Sequence, residues 1–183
     1  MTECKWMALV AEIKRCCIKP TSLTSTQNTV YQRLLRELHH PGVVCMSGSV
    51  GAGKTFTAWV TARSIGARYL PTIHGLDHLK PLEVSKVVID NAPTQATPLR
   101  RLLSRCELLG IQSIALISAK PLDIPYPVIT LTPPTSTDLE QVANQFHSHG
   151  FFSHYPMPTE RSFWALLRAF SLDAATLTTE GTL

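Results

Sequence analysis

Eight residues carry the clearest chemistry in this 183-residue chain: Gly48-Ser49-Val50-Gly51-Ala52-Gly53-Lys54-Thr55. They match G-x-x-x-x-G-K-[ST], a loop built to cradle phosphates. Glycines let the backbone wrap a phosphate, and the N–H groups of the loop and of a following helix point at it. The lysine of such a loop reaches the β- and γ-phosphates of a nucleotide, and the hydroxyl after it ligates Mg²⁺. Gly48, Gly51, Ala52, Gly53, Lys54, Thr55 and Phe56 are therefore the candidate residues for binding ATP or ADP.

A magnesium ion held there needs a second oxygen from the end of another strand. Val87-Val88-Ile89-Asp90 supplies one: three apolar residues and then a carboxylate. Thr55 and Asp90 are the candidate metal ligands, with Asp90 as a plain strand-end residue the alternative. Ser118 closes a further apolar run, where its hydroxyl can hydrogen-bond an attacking water or a γ-phosphate. Residue 91 is Asn, where many ATPases of this arrangement place the glutamate that activates water. An amide can position a water but cannot take its proton. Lack of a general base costs about 10²–10⁴-fold in rate. Binding with slow hydrolysis is the expectation, so whether the chain works as an enzyme stays open.

These side chains need elements to position them. Val43 to Met46 reads as a strand entering the loop, and Thr55 to about Ile65 as the helix leaving it. Further strands are expected over Arg68–Ile73, Lys86–Asp90, Ile111–Ser118 and Val128–Leu131. Helices are expected over Thr29–His39 and Pro98–Leu109, and a short helix or loop over Gly75–Lys80. Apolar strands without polar alternation, separated by helices, imply an α/β fold: a five-stranded parallel sheet of the P-loop NTPase kind, covered on both faces. Pro133-Pro134 ends that pattern. Asp138–His149, Glu160–Phe170 and a third segment over Leu172–Leu177 read as a small helical lid. Ahead of the sheet, residues 3–19 form an amphipathic pattern with Trp6, Leu9, Val10, Ile13 and Cys17 on one face. The expected organisation is an N-terminal helix over 1–20, an ATPase core over 21–132 and a lid over 133–183.

Composition fits this plan. Hydrophobic residues make up 44% and charged residues 16%, which excludes wholesale disorder and coiled coil. No apolar run approaches the roughly 18 residues of a membrane span. Glu12, Lys14 and Arg15 interrupt the first apolar stretch, unlike a secretory signal. Seventeen basic and 13 acidic residues give a charge of +4, which permits an anionic partner without requiring one. Cysteines at 4, 16, 17, 45 and 106 include no C-x-x-C pair, so a reducing, cytoplasmic setting is expected. His147, His149 and His154 read as solvated or capping residues, because no cysteine or acidic ligand stands near them.

The chain resembles the AAA+ ATPases and, within them, the DnaA-related group, which includes the small DnaA-like replication regulator Hda. The resemblance covers about residues 20–180. It rests on the phosphate loop, on Val88-Ile89-Asp90-Asn91, on Leu116-Ile117-Ser118 at the sensor-1 strand end, and on Ile129-Thr130-Leu131 before Pro133-Pro134 and Asp138-Leu139. Glu160-Arg161-Ser162-Phe163-Trp164-Ala165-Leu166-Leu167 is similar to the lid helix that carries the sensor-2 arginine. That likeness nominates Arg161 to touch the γ-phosphate, beside the reading of a surface arginine. Three departures limit the transfer. Ala119 to Val128 contains Lys120 but no finger arginine, which puts a self-completing ring in doubt. The chain ends after the lid, without the initiator's helix-turn-helix domain. The regulator's N-terminal sliding-clamp peptide is not recognisable.

The resemblance implies an ATP-binding switch or adaptor acting through a protein partner in DNA replication, transposition or a related nucleoprotein process. Residues 3–19 are either a docking helix for that partner or a core helix. Arg100, Arg101 and Arg105 form a solvated face or a nucleic-acid contact, with no aromatic between them to stack bases, and nucleic acid is otherwise expected to be reached indirectly. A small-molecule kinase, or a degenerate AAA+ scaffold subunit, are the alternatives. Against the kinase, the helical segment follows the last strand instead of forming an inserted arginine-rich lid.

Overall fold

The computed structural model describes residues 2–122, 124–149 and 160–176, with side chains from residue 10 to residue 169 within those ranges. Five strands form one sheet: β1 (Gly42–Ser47), β2 (Arg68–Leu70), β3 (Lys86–Ile89), β4 (Ser113–Ser118) and β5 (Val128–Thr130). Their order is β2-β3-β4-β1-β5, and every neighbouring pair is parallel. The parallel α/β sheet expected from the apolar runs is the sheet observed. Its register decides where chemistry can occur. Ser47 lies opposite Ser118 and Ile89 opposite Leu116, so the strands that lead to the phosphate loop, to Asp90 and to Ser118 end along one edge. Ligands of open parallel sheets bind outside that carboxyl edge.

Successive strand residues point to opposite faces, so each strand feeds two cores. On one face Cys45, Val87, Ile89 and Leu116 pack against Leu99, Leu102 and Cys106 of α4 (Ala96–Leu108). On the other, Val44, Met46, Val88 and Ile117 meet Val30, Leu34 and Leu38 of α2 (Ser25–Leu38) and Ala58 and Ala62 of α3 (Lys54–Ser64). Helices on both faces explain why these strands are apolar throughout. Burial also raises the thiols of Cys45 and Cys106, to about 12 and about 11, so they behave as small hydrophobes.

A third core lies beyond the sheet. Ile13 and Cys17 of α1 (Thr2–Cys17) are buried with Leu139, Ala143 and Phe146 of α5 (Ser136–Ser148) and Phe163 and Leu166 of α6 (Phe163–Thr176). Ile13 and Cys17 of α1 thus pack against α5 and α6, as a core helix would. The side chains of Trp6 and Leu9 lie outside the described residues, as does His154. Two capping boxes fix where α2 and α5 start, Thr24 with Gln27 and Thr135 with Asp138. Thr26 Oγ1 donates to Asp138 Oδ2 at 2.8 Å, which pins one box to the other and the lid to the core.

Boundaries differ from expectation where local signals were overlooked. α2 begins four residues before Thr29, because Thr24 caps it through the Gln27 N–H. β2 stops at Leu70, and Ile73–His78 turns into a 3₁₀ helix. α6 starts at Phe163 and runs unbroken to Thr176, so the separate helix expected from Leu172 is its last turns. No described helix is long and apolar enough to cross a membrane.

Candidate functional site

The glycine-rich loop leaves β1 and enters α3 at the carboxyl edge of the sheet. Gly51 and Gly53 hold φ of 79° and 89°, in the left-handed region that favours glycine. Close approach forbids a side chain at either place. A Cβ on Gly51 would lie 2.5 Å from Ser162 Cβ, and one on Gly53 would run into Gln27 Nε2 and the Phe163 ring. The Gly51 carbonyl also accepts from the Phe163 N–H at 2.9 Å. The first residues of α6 therefore rest directly on the loop. Gly48 runs under the Leu131 carbonyl, and Ala52 is buried in the sheet core.

Lys54 Nζ donates to the carbonyls of Gly48 and Ser49, both at 2.7 Å. Burial lowers its pKa, and the nearby charge of Asp90 opposes that shift. An ammonium has three donors, so one N–H remains for a ligand. Thr55 Oγ1 donates to Asp90 Oδ2 at 2.7 Å. Asp90 is buried, yet three groups satisfy it. Besides Thr55, the Tyr69 hydroxyl donates to Oδ2 at 2.9 Å and the Asn91 backbone N–H to Oδ1 at 2.9 Å. Burial and then the Asp90 charge push the Tyr69 phenol well above its ordinary pKa, so it stays a donor. Thr55 and Asp90 bring together hard oxygen ligands of the type that Mg²⁺ selects.

The remaining candidates are arranged less simply. Asn91 stands at φ 53°, a conformation that asparagine tolerates, and its Nδ2 donates to the Pro71 carbonyl at 3.1 Å. The Ser118 hydroxyl donates to the Lys120 carbonyl at 2.5 Å. Both residues line the cavity beside the loop, with one amide donor of Asn91 and the hydroxyl proton of Ser118 given to backbone carbonyls. Arg161 is exposed and does not line it. Arg100, Arg101 and Arg105 are exposed on α4. Among the described residues no group of three His, Cys, Asp or Glu side chains is placed to hold a metal.

A cavity of about 450 Å³ opens beside the loop, within the size range of small-molecule sites. Its polar lining includes Lys54, Thr55 and Asp90, and its apolar lining includes Val10 and Ile13 of α1, Phe56 of α3, Phe146 of α5 and Phe163 of α6. Trp59 also lines it, and its ring meets that of Tyr69 edge-on with centroids 6.0 Å apart. Lys14 Nζ lies 4.5 Å from the centroid of the Trp59 ring, joining α1 to α3. Sequence reasoning missed Gln27, Tyr69 and Trp59 here. The Thr24-x-x-Gln27 capping box was legible, but which helix would meet the loop was not.

Neither a family model nor a curated protein matches the sequence. Solved structures do match. Domain III of the replication initiation protein DnaA from Thermotoga maritima superposes with a TM-score of 0.58, over 87% of this chain and 88% of that one, at 14% identity. The fold is that of an AAA+ P-loop ATPase domain, DnaA-like in form. AMPPCP-bound DnaA from Aquifex aeolicus gives 0.52 at 13% identity, over 90% of this chain. The Holliday junction branch migration motor RuvB of Thermotoga maritima gives 0.57 at 15% identity, over 85%. This chain spans 65% and 64% of the lengths of those two. The AAA+ fold accounts for the alignment of loop, Asp90 and Ser118 along one sheet edge.

Proposed function

We propose that the chain binds Mg·ATP and Mg·ADP in this cavity and works as a slow ATP-dependent switch or adaptor for a protein partner. The observation that carries the reading is the convergence of Lys54, Thr55 and Asp90 on one cavity that is otherwise lined mainly by apolar and aromatic side chains. Phosphates fit the polar groups and a base the aromatic lining. In this reading Gly51, Gly53 and the first N–H groups of α3 wrap the phosphates, aided by the positive end of that helix. Lys54 keeps its cation at the loop and offers its third N–H to a phosphate oxygen. Thr55 and Asp90 would hold Mg²⁺, which neutralises phosphate charge when bound. Phe56 and Phe163 exclude water from the base.

The same site supports binding more strongly than turnover. Asn91 has no carboxylate to take a proton and gives one amide donor to Pro71, while the Ser118 hydroxyl donates to Lys120. These contacts also favour a second reading, a scaffold subunit that binds nucleotide without hydrolysing it. The DnaA and RuvB likenesses support work on a DNA replication or related nucleoprotein machine, with nucleic acid reached through the partner. Titration with ADP, ATP and Mg²⁺ tests the site. Phosphate release separates switch from scaffold, and a pull-down with and without ATP tests the partner. No measurable nucleotide binding by the wild-type protein would overturn the proposal.

A further inference from the structure

The residue above the phosphate loop comes from α2, not from the loop's own motif. Gln27 is only 2% exposed, yet it lines the cavity and its Nε2 abuts Gly53. Its amide cannot be turned round. Oε1 accepts from the Thr24 backbone N–H at 3.1 Å, while the Gln27 N–H reaches Thr24 Oγ1 at 3.4 Å. That box needs an acceptor facing Thr24, so the NH₂ group must face Gly53. No described residue accepts from that NH₂. The NH₂ group keeps access to the cavity that Gln27 lines, so an acceptor atom of a ligand there can take its hydrogen bond.

We infer that Gln27 is a ligand-binding residue of this site, donating from Nε2 to an acceptor atom of the bound nucleotide. The inference rests on the nucleotide reading above. Gln27 Nε2 and the Phe163 ring both abut Gly53 of the phosphate loop, and all three residues line the cavity. A nucleoside phosphate carries acceptors on both parts that pass this point, its phosphates and its base. The capping box gives the donor its aim: the hydrogen bonds that start α2 also orient the amide toward the ligand. Occupancy of the cavity thereby satisfies a side chain belonging to the core, outside the loop.

Gln27→Glu is the discriminating variant. Glutamate at this place still closes the Thr24 box, since Thr-x-x-Glu serves as well as Thr-x-x-Gln. It replaces the donor facing the cavity with an acceptor. At pH 8 the ADP Kd of Gln27→Glu is expected to rise at least tenfold with the melting temperature nearly unchanged. Binding within twofold of wild type in a normally folded variant would overturn the inference. Tripolyphosphate then locates the acceptor. If its Kd rises as steeply, Nε2 meets a phosphate; if it does not, Nε2 meets the nucleoside. Should the variant fold poorly, the Gln27 side-chain NH₂ resonances of wild-type protein provide a second readout. They are expected to shift on adding ADP, and their failure to move while the loop amides do would refute the contact. Wild-type protein that binds no nucleotide would overturn the nucleotide reading itself.

Discussion

At the scale of single residues, the two charges of the site are already held, Lys54 by two carbonyls and Asp90 by three donors. Lys54 is the group whose loss should matter most. Lys54→Ala removes a charge-assisted contact worth roughly 1.5–3 kcal/mol, so nucleotide affinity should fall at least about tenfold by calorimetry. Equal affinity in wild type and variant would mean that the cavity serves another ligand. Asn91 sets the expectation for turnover. Steady-state phosphate release should stay well below the median enzyme value of about 10 per second. Asn91→Glu is not a simple rescue. It gives up the hydrogen bond to Pro71 and puts a less tolerant residue at φ 53°, at a cost of about 1 kcal/mol. A lower melting temperature with little gain in rate is the expected outcome. Fast turnover by the unmodified protein would show that another base is at work.

At the scale of elements, α1 and the two capped helices decide how the lid meets the core. Ile13 is buried between α5 and α6 and also lines the cavity. Ile13→Ala should therefore cost about 3 kcal/mol in denaturant unfolding, within the usual range for buried truncations. A change below 0.5 kcal/mol would restore the picture of a detachable docking helix. Asp138 supplies a pH test. Burial pushes its carboxyl up, but hydrogen bonds from the Thr135 backbone, Thr26 and Thr135 outweigh that and hold its pKa below the ordinary value. A depressed folded pKa means stability that is present above the unfolded value of about 3.9 and is lost as pH falls through the folded one. Wild type should exceed Asp138→Asn in stability at pH 6, and the gap should close below about pH 4. A gap that does not change with pH would show that the amide satisfies the same donors.

At the scale of the whole molecule, the cavity is bounded by both the sheet domain and the lid helices, with the Phe163 N–H joined to the loop at Gly51. A ligand there touches both parts, so it should stabilise them together. At 100 times its Kd, a ligand that binds only the native state adds about 2.7 kcal/mol. For a chain of this length that corresponds to a melting rise of roughly 5–10 °C, in one transition. The rise should vanish in Lys54→Ala. A biphasic melt in which only one transition shifts would mean that the lid does not share the ligand.

The sequence by itself determined the sheet, the phosphate loop and the carboxylate, because each is a local pattern. Val87-Val88-Ile89-Asp90 is a buried strand with an acid at its end wherever it is met. The spacing of Gly48 to Thr55 leaves little conformational choice. Tertiary structure alone decided what those motifs face. Gln27 and Tyr69 belong to other elements and reach the site only because α2 packs behind the loop and β2 runs beside β3. Asn91 and Ser118 follow from their strands, but the carbonyls that engage them come from Pro71 and Lys120, set by how two loops close. The fate of α1 was least legible. Its apolar stripe fits a partner or a core equally well, since burial rewards the area removed from water whatever covers it. Only the lid's own apolar helices, placed beside it by the fold, settled that Ile13 and Cys17 face inward.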